Sequence, residues 1–207
     1  PGAPYLVSMG ALRAGAGLIS LGVPKSLYPV MALKLTEVMT KPLPETRQGT
    51  LSLAARSEIG HYLKGTDVLA MGPGLSRNLE TERLIRRVAL GWRKGLVLDA
   101  DGLNAFRGKQ KLLGKLGARA VLTPHPGEAG RLSRDPVPRD DTGRKRFALA
   151  FAKRHGVVLV LKGHRTVVAS PDGKVYVNRT GNPGLATGGS GDVLTGIVAA
   201  FLAQGLN

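Results

Sequence analysis

Several features that define common classes of protein are missing from this sequence. It has no cysteine, which excludes disulfide bonds and cysteine chemistry and fits a reducing compartment such as the cytoplasm. Aromatic residues make up only 4%, so a platform that stacks single-stranded bases is not expected. No apolar run approaches the roughly 18 residues that a membrane span needs, and the first residues have no basic leader. We therefore expect a cytoplasmic protein without a membrane partner.

Acidic residues are also scarce, because 14 Asp and Glu face 30 Lys and Arg, which gives a formal net charge of +16. A basic nucleic-acid-binding protein is one interpretation of that charge. The basic residues, however, lie mostly in stretches such as ERLIRRVALGWRKG and GRKRFALAFAKRHG, where they would line solvated helix faces. We therefore predict no nucleic-acid partner. The length and the 43% hydrophobic content suit a single domain over residues 1–207.

Apolar segments of strand length alternate with amphipathic segments of helix length. Strands are predicted at residues 18–24, 66–74, 95–102, 118–128, 157–163 and, as a hairpin, 166–178. Helices are predicted at residues 52–65, 79–94, 103–116, 141–155 and 192–205, the last apolar nearly all round and therefore buried. This alternation indicates an α/β fold with a mostly parallel central sheet, helices on both faces and a late antiparallel hairpin.

In such folds the ligand lies beyond the carboxyl ends of the strands, and two of the predicted strand ends carry unusual turns. Gly72 and Gly74 flank a proline in MGPGLS and would let a ligand reach the main chain, although an ordinary tight turn explains them equally well. In DADGLN, Asp99 and Asp101 could hold Mg²⁺ through water molecules, unless Asp101 or Asn104 caps the following helix.

Two further strand ends offer polar side chains. TPHPGE places His125 between two prolines, which restrict its backbone, and we expect it to contact a ligand, with Glu128 as a metal or water contact. LKGHRT follows the most apolar strand. Lys162 there could bind a phosphate and Gly163 would allow close approach, while a polar entry to the hairpin is the alternative.

The glycine-rich stretch GNPGLATGGSGDVLTG is the most distinctive motif. It lacks the Gly-Lys-Ser/Thr of a P-loop and the third glycine of the dinucleotide fingerprint, because residue 194 is leucine. The amides of Gly189, Ser190 and Gly191, at a helix N-terminus, could still form an anion hole. Asp192 should stay ionised there and accept the proton of a substrate hydroxyl, which predicts phosphorylation of an alcohol by a nucleotide. A first-turn aspartate that only stabilises its helix is the alternative.

These motifs, taken in order, resemble the ribokinase-like superfamily, and most closely its ADP- or ATP-dependent NAD(P)H-hydrate dehydratase family. The similarity runs from PGAPYLVSMGALRAGAG through GPGL, LDADGLN, TPHPGE and LKGHRT to NPGLATGGSGDVLTG, nearly the whole chain. It implies a ribokinase-like three-layer αβα sandwich. It also implies that the S-epimer of hydrated NADH or NADPH is phosphorylated by ADP or ATP and loses phosphate, with Mg²⁺, in a homotetramer.

The resemblance assigns roles to particular residues. Asp192 would be the catalytic base, and the positions that match the family's hydrate contacts are Ala3, Gly74, His125 and Asp192. The positions that match its adenine-nucleotide segment are Lys162, Gly163, His164, Arg165, Thr166 and Gly191. Asp99 and Glu128 remain the candidates for a metal contact.

The sequence alone leaves two points open, the type of enzyme and the completeness of the domain. Related vitamin-precursor kinases share the Gly-Ser-Gly-Asp loop, so a small-molecule kinase is the alternative enzyme, although such kinases tend to carry asparagine at the place of His125. The family also has a strand before the stretch that starts at Pro1 and helices beyond Asn207. We therefore expect an incomplete domain with one position of the sheet unfilled.

Overall fold

The computed structural model describes residues 1–117 and 119–206. Ala118, which opens the predicted strand at 118–128, and Asn207, the last residue of the predicted domain, lie outside the described residues. The strands of the described chain are β1 (Ser20–Pro24), β2 (Met39–Leu43), β3 (Val68–Met71), β4 (Gly95–Leu98), β5 (Ala120–Leu122), β6 (Val158–Leu161), β7 (Val167–Ala169) and β8 (Val175–Val177). The α-helices are α1 (Gly2–Arg13), α2 (Tyr28–Lys34), α3 (Ala55–Tyr62), α4 (Leu79–Gly91), α5 (Ala100–Asn104), α6 (Pro126–Ser133), α7 (Asp141–His155) and α8 (Ser190–Ala203).

The central sheet has the strand order β3-β4-β5-β6-β7-β8. Strands β3 to β6 are parallel, and β7 and β8 form the antiparallel hairpin that the sequence predicts. Strands β1 and β2 pair in parallel as a separate two-stranded sheet. The predicted mostly parallel α/β architecture is therefore confirmed.

Alternate residues of the central strands face two different layers of helices. Leu96 and Leu98 of β4 belong to the main core, which includes side chains of α4 and α7. Val97, between them, is fully buried without belonging to that core. Because successive side chains of a strand point to opposite faces, Val97 lies on the other face, where α8 packs against β3 and β4. The sheet is thus covered on both sides.

Helices α1 and α8 cross at very short range. A Cβ atom added to Gly196 of α8 would lie 2.1 Å from the carbonyl oxygen of Val7, and one added to Gly10 of α1 would lie 2.6 Å from that of Val193. The missing side chains let the two backbones touch. This contact places the N-terminus of α8 beside α1.

Two of the sequence-based predictions are wrong. The continuous helix at 103–116 is replaced by the short α5 and a 3₁₀ segment at Gln110–Lys115, because Gly108 adopts a left-handed conformation with φ of 73° between them. The last helix is not buried all round: Thr195, Gly196 and Ala200 are its buried residues, and Phe201 is 44% exposed. The sequence reasoning also missed α1, α2, β2 and α6, the last of which starts inside TPHPGE.

None of the helices within residues 1–117 and 119–206 combines the length and the apolar character that a membrane span needs.

Candidate active site

The carboxyl ends of β4 and β6 meet the N-terminal part of α8. Asp99 follows β4 and is 2% exposed, and its Oδ1 lies 2.7 Å from Nζ of Lys162, which follows β6. Its Oδ2 accepts a hydrogen bond of 2.9 Å from the hydroxyl of Thr195, in the second turn of α8. Both carboxylate oxygens of Asp99 are therefore occupied by side chains from neighbouring elements.

The glycine-proline-glycine turn after β3 packs directly on this centre. Gly72 has φ of 138°, and a Cβ there would lie 1.7 Å from the carbonyl oxygen of Asp99, so no larger residue fits. Asp101 accepts a hydrogen bond of 2.9 Å from the Ser76 amide, which holds the end of the turn. A Cβ on Gly74, whose φ is 74°, would lie 3.3 Å from Cβ of Ala3. Gly74 and Ala3, two predicted substrate contacts, are therefore neighbours.

The first turn of α8 presents unused amides. Gly189 precedes the helix with φ of 90°, and the first helical hydrogen bond runs from the Val193 amide to the Gly189 carbonyl at 3.0 Å. Within the described chain, the amides of Gly189, Gly191 and Asp192 donate to no other group. The Ser190 amide donates to the Thr187 carbonyl at 3.3 Å. Two of the three predicted anion-hole amides, those of Gly189 and Gly191, are thus free to donate to a ligand. The amide of Asp192 is a further free donor that the sequence reasoning missed.

Lys162 lies beside this turn. A Cβ on Gly191 would be 3.4 Å from Lys162 Nζ and 3.8 Å from Asp99 Oδ2, so the glycine leaves the ammonium unscreened by a side chain. The Lys162 side chain is 20% exposed. A cation and free amide donors together form an environment for an anion such as phosphate.

Asp192 lies in the same first turn and is partly buried. Burial raises the pKa of its carboxyl above the usual value; the nearby Asp99 raises it further, and Lys162 partly opposes both. We expected the helix N-terminus to favour the ionised form of this carboxyl, and burial and Asp99 act in the opposite direction. A raised pKa makes the Asp192 carboxylate a better proton acceptor than an ordinary aspartate.

His125 and Glu128 are engaged with each other at the start of α6. The His125 amide donates to Glu128 Oε2 at 2.9 Å, and His125 Nδ1 accepts from the Gly127 amide at 3.1 Å, which forms a capping box. The imidazole Nε2 lies 3.5 Å from Glu128 Oε1. The imidazole is 51% exposed, so one side of the ring remains open to a ligand.

The LKGHRT turn is held mainly by α7. Arg144 is 8% exposed and donates to the carbonyl oxygens of His164, at 2.5 Å, and Leu161, at 3.4 Å. Arg165 forms an ion pair with Asp141 at the first position of α7. The sequence reasoning did not find Arg144, because a single arginine in a basic helix has no local signal of burial.

The same turn also connects to the histidine loop. The Lys162 amide donates to the Pro124 carbonyl at 2.9 Å, and the Thr166 hydroxyl donates to the Gly163 carbonyl at 3.0 Å. Lys162 therefore contacts Asp99 through its side chain and the histidine loop through its amide.

The predicted metal contacts have hydrogen-bond partners within the protein. Asp99 bonds to Lys162 and Thr195, and Glu128 bonds to His125. Asp101 accepts hydrogen bonds from the backbone amide of Ser76 and, at 3.1 Å, from the side-chain amide of Asn104. Among the residues that the structure describes, no group of three or more acidic, histidine or cysteine side chains could hold an ion. A contact of Asp99 or Glu128 with Mg²⁺ stays a prediction, because Mg²⁺ usually retains several waters and does not need a cluster of direct ligands.

Comparison of folds defines the class of protein. A ribokinase-like superfamily protein from Enterococcus faecalis superposes with a TM-score of 0.79 at 26% identity, over 98% of this chain and 67% of that chain. The ADP/ATP-dependent NAD(P)H-hydrate dehydratase of Bacillus subtilis, co-crystallised with ATP/Mg²⁺, superposes with a TM-score of 0.76 at 30% identity, over 98% of this chain and 68% of that chain. The chain therefore has the ribokinase-like fold.

Comparison of sequences then defines the family. The family model for NAD(P)H-hydrate dehydratase matches residues 1–207, so the chain belongs to that family. It is 46% identical to the bifunctional NAD(P)H-hydrate repair enzyme Nnr of Moorella thermoacetica, over 99% of this chain and 39% of that protein. It is 38% identical to the ADP-dependent (S)-NAD(P)H-hydrate dehydratase of Xanthomonas campestris pv. campestris, over 99% of this chain and 69% of that protein. The chain thus spans about two fifths of the first curated relatives it matches.

Proposed function

We propose that this chain catalyses the ADP- or ATP-dependent dehydration of the S-epimer of hydrated NADH or NADPH, which restores the reduced cofactor. Family membership supports this reaction class, and the first turn of α8 is the structural observation that carries it. That turn combines a carboxylate of raised pKa with free amides and a neighbouring ammonium group. The reaction needs these same elements: a base for an alcohol and a binding place for phosphate.

In the first step, Asp192 accepts the proton of the ring hydroxyl while the hydroxyl oxygen attacks the terminal phosphorus of the nucleotide. The bond to the leaving nucleotide oxygen breaks as the new phosphoester bond forms. The amides of Gly189, Gly191 and Asp192 bind the phosphoryl oxygens, and Lys162 balances their charge. In the second step, the ester carbon–oxygen bond breaks, phosphate leaves, and the neighbouring ring carbon loses a proton, which restores the ring double bond.

The remaining predicted contacts take substrate and nucleotide roles in this proposal. Ala3, Gly74 and His125 would contact the hydrated nicotinamide, the role that the resemblance to the family assigns to them, and Ala3 and Gly74 lie side by side. Gly163, His164, Arg165 and Thr166 would contact the nucleotide. Mg²⁺ would reach the site with the nucleotide phosphates and water rather than on a cluster of protein carboxylates. A homotetramer is the assembly that we propose, and light scattering after size-exclusion chromatography tests it.

The decisive experiment incubates the protein with hydrated NADH and either ADP or ATP. We expect the absorbance of reduced nicotinamide to return and free phosphate to appear in equal amounts, only when a nucleotide is present. A stable phosphoester product would overturn the dehydratase and support a small-molecule kinase. Asp192→Asn is the matched control, since it preserves the side-chain shape and removes the base.

The same assay decides the nucleotide preference, because each nucleotide is supplied separately. A chelating agent added to the active mixture tests the need for Mg²⁺, and activity that survives complete chelation would contradict that part of the proposal. The nucleic-acid alternative predicts binding that falls steeply with salt and does not depend on Asp192. Binding of that kind would contradict the prediction of no nucleic-acid partner.

A further inference from the structure

A chain of hydrogen bonds connects the buried face of α8 with the side chain that lies beside its first turn. The Thr195 hydroxyl is completely buried and bonds to Asp99 Oδ2 at 2.9 Å, and Asp99 Oδ1 bonds to the Lys162 ammonium at 2.7 Å. These three residues come from α8, the end of β4 and the end of β6. Thr195 has no part in the reaction proposed above.

The donors and acceptors of this chain impose its direction. A threonine hydroxyl has one proton to donate, and an ionised carboxylate only accepts. The Thr195 hydroxyl also lies 3.1 Å from the Gly191 carbonyl, but the charged acceptor makes the stronger hydrogen bond. Donation from Thr195 therefore fixes the rotation of the Asp99 carboxylate, and this rotation determines where its other oxygen holds Lys162.

The ammonium of Lys162 has capacity left for a ligand. It carries three N–H donors, and its one acceptor among the described residues is Asp99. It lies beside Gly191, whose missing side chain leaves the ammonium open toward the first turn of α8. A lysine has a long flexible side chain, so a partner that orders it before the ligand arrives lowers the cost of binding.

We propose that Thr195 and Asp99 are positioning residues that hold the Lys162 ammonium beside the first turn of α8, where it binds a phosphate of the nucleotide. The nature of the ligand rests on the proposed function. The positions of the three side chains do not depend on it. Thr195 and Asp99 act through Lys162 and do not touch the nucleotide themselves.

The first test compares variants at one buried threonine by titration calorimetry with ADP. Thr195→Val preserves the shape but removes the donor, and we expect ADP binding to weaken about 10-fold, the loss typical of a hydrogen bond to a charged group. Thr195→Ser retains the hydroxyl and should restore most of the affinity. Thr81→Val is the matched control, because Thr81 in α4 is equally buried and its hydroxyl bonds at 2.7 Å to the Leu51 carbonyl. It should leave ADP affinity unchanged.

The second test is a double-mutant cycle with Asp99→Asn and Lys162→Met. If Asp99 acts through Lys162, the double variant should bind ADP no more weakly than Lys162→Met alone. Additive losses would overturn the proposal. Lys162→Met leaves a buried carboxylate unpaired, so folding of every variant is checked by circular dichroism. The double variant removes both charges, and the Thr195 series decides the question if a single variant does not fold.

The two proposals fail in different ways. A wild-type protein that binds ADP without restoring reduced nicotinamide would overturn the proposed function, and the variants would still test the positioning by ADP affinity. A wild-type protein that restores the cofactor, with Thr195→Val binding ADP as tightly, would overturn the positioning alone. Equal weakening by Thr81→Val and Thr195→Val would also overturn it, since general softening of the fold would then explain the loss.

Discussion

Replacement of Gly196 by alanine tests the close crossing of α1 and α8, on which the position of Asp192 depends. The added Cβ would lie 2.1 Å from the Val7 carbonyl oxygen and 2.7 Å from the Ala11 amide nitrogen. Carbon and oxygen approach no closer than about 3.3 Å even in weak hydrogen bonds, so the helices would have to separate by about an ångström. Both obstacles are main-chain atoms, which cannot rotate away as a side chain could.

The magnitude follows from two opposing effects. Alanine improves the intrinsic helix propensity by about 1 kcal/mol relative to glycine. Overpacking of a tight contact costs about 1–3 kcal/mol, and the backbone contact places Gly196 toward the upper end of that range. We therefore expect Gly196→Ala to lower the free energy of unfolding by roughly 1–2 kcal/mol. Turnover should fall as well, because Asp192 lies one turn earlier on the displaced helix.

Gly60→Ala is the matched control for this substitution. Gly60 lies inside α3, and a Cβ there would meet no heavy atom within 4 Å. The same change should therefore raise the free energy of unfolding by about 0.5–1 kcal/mol and leave turnover unaltered. Equilibrium unfolding in urea measures both variants against the wild type. A Gly196→Ala protein as stable as Gly60→Ala would refute the close helix crossing.

Three further predictions concern the first turn of α8. Asp192→Asn should lower turnover by about 10²–10⁴, the contribution typical of a positioned base, without abolishing ADP binding, as steady-state kinetics and calorimetry would reveal. Because the folded-state pKa of Asp192 lies above its unfolded value, the ionised carboxylate destabilises the fold at neutral pH. Asp192→Asn should thus have a higher free energy of unfolding than the wild type at neutral pH. Urea unfolding should show that this difference disappears as the pH falls through the pKa of Asp192. The turnover of the wild type should decline over the same pH range, because protonation removes the base. Gly189→Val should weaken ADP binding in calorimetry, because a branched residue tolerates φ of 90° poorly and its Cβ would lie 2.4 Å from Cδ1 of Leu6; unchanged affinity would contradict the role of this loop.

The strands of the central sheet were predictable because their signals are local, whereas β2 of the small sheet was not predicted. Apolar runs at 95–98 and 157–161 coincide with β4 and β6, and the turn Ser-Pro-Asp-Gly coincides with the β7–β8 hairpin. The helix at 103–116 was mispredicted because a single glycine with positive φ interrupts an otherwise suitable pattern. Helix α1 was missed because its glycines and proline resemble a loop, although its Gly10 serves the contact with α8.

The loops that form the candidate site were predictable from the sequence, but the pairing of their side chains was not. The glycine loop, its aspartate and the loops at the strand ends are visible in the order of the residues, because parallel strands bring their carboxyl ends to one edge of the sheet. Nothing in that order pairs Asp99 with Lys162, which lie 63 positions apart, or with Thr195, which lies 96 positions away. For that reason the sequence predicted Asp99 as a metal contact without its partners Lys162 and Thr195. Glu128 was predicted as a metal contact too, although its partner His125 lies only three positions away.

The amino-acid sequence by itself determined the class of fold and the chemical character of the α8 loop, since periodicity, glycine content and side-chain type are properties of neighbouring residues. Only the tertiary structure decided which charges meet, how closely α1 and α8 approach, and why the pKa of Asp192 is raised. These depend on burial and on distances between residues far apart in the chain, and electrostatic energies change steeply with both.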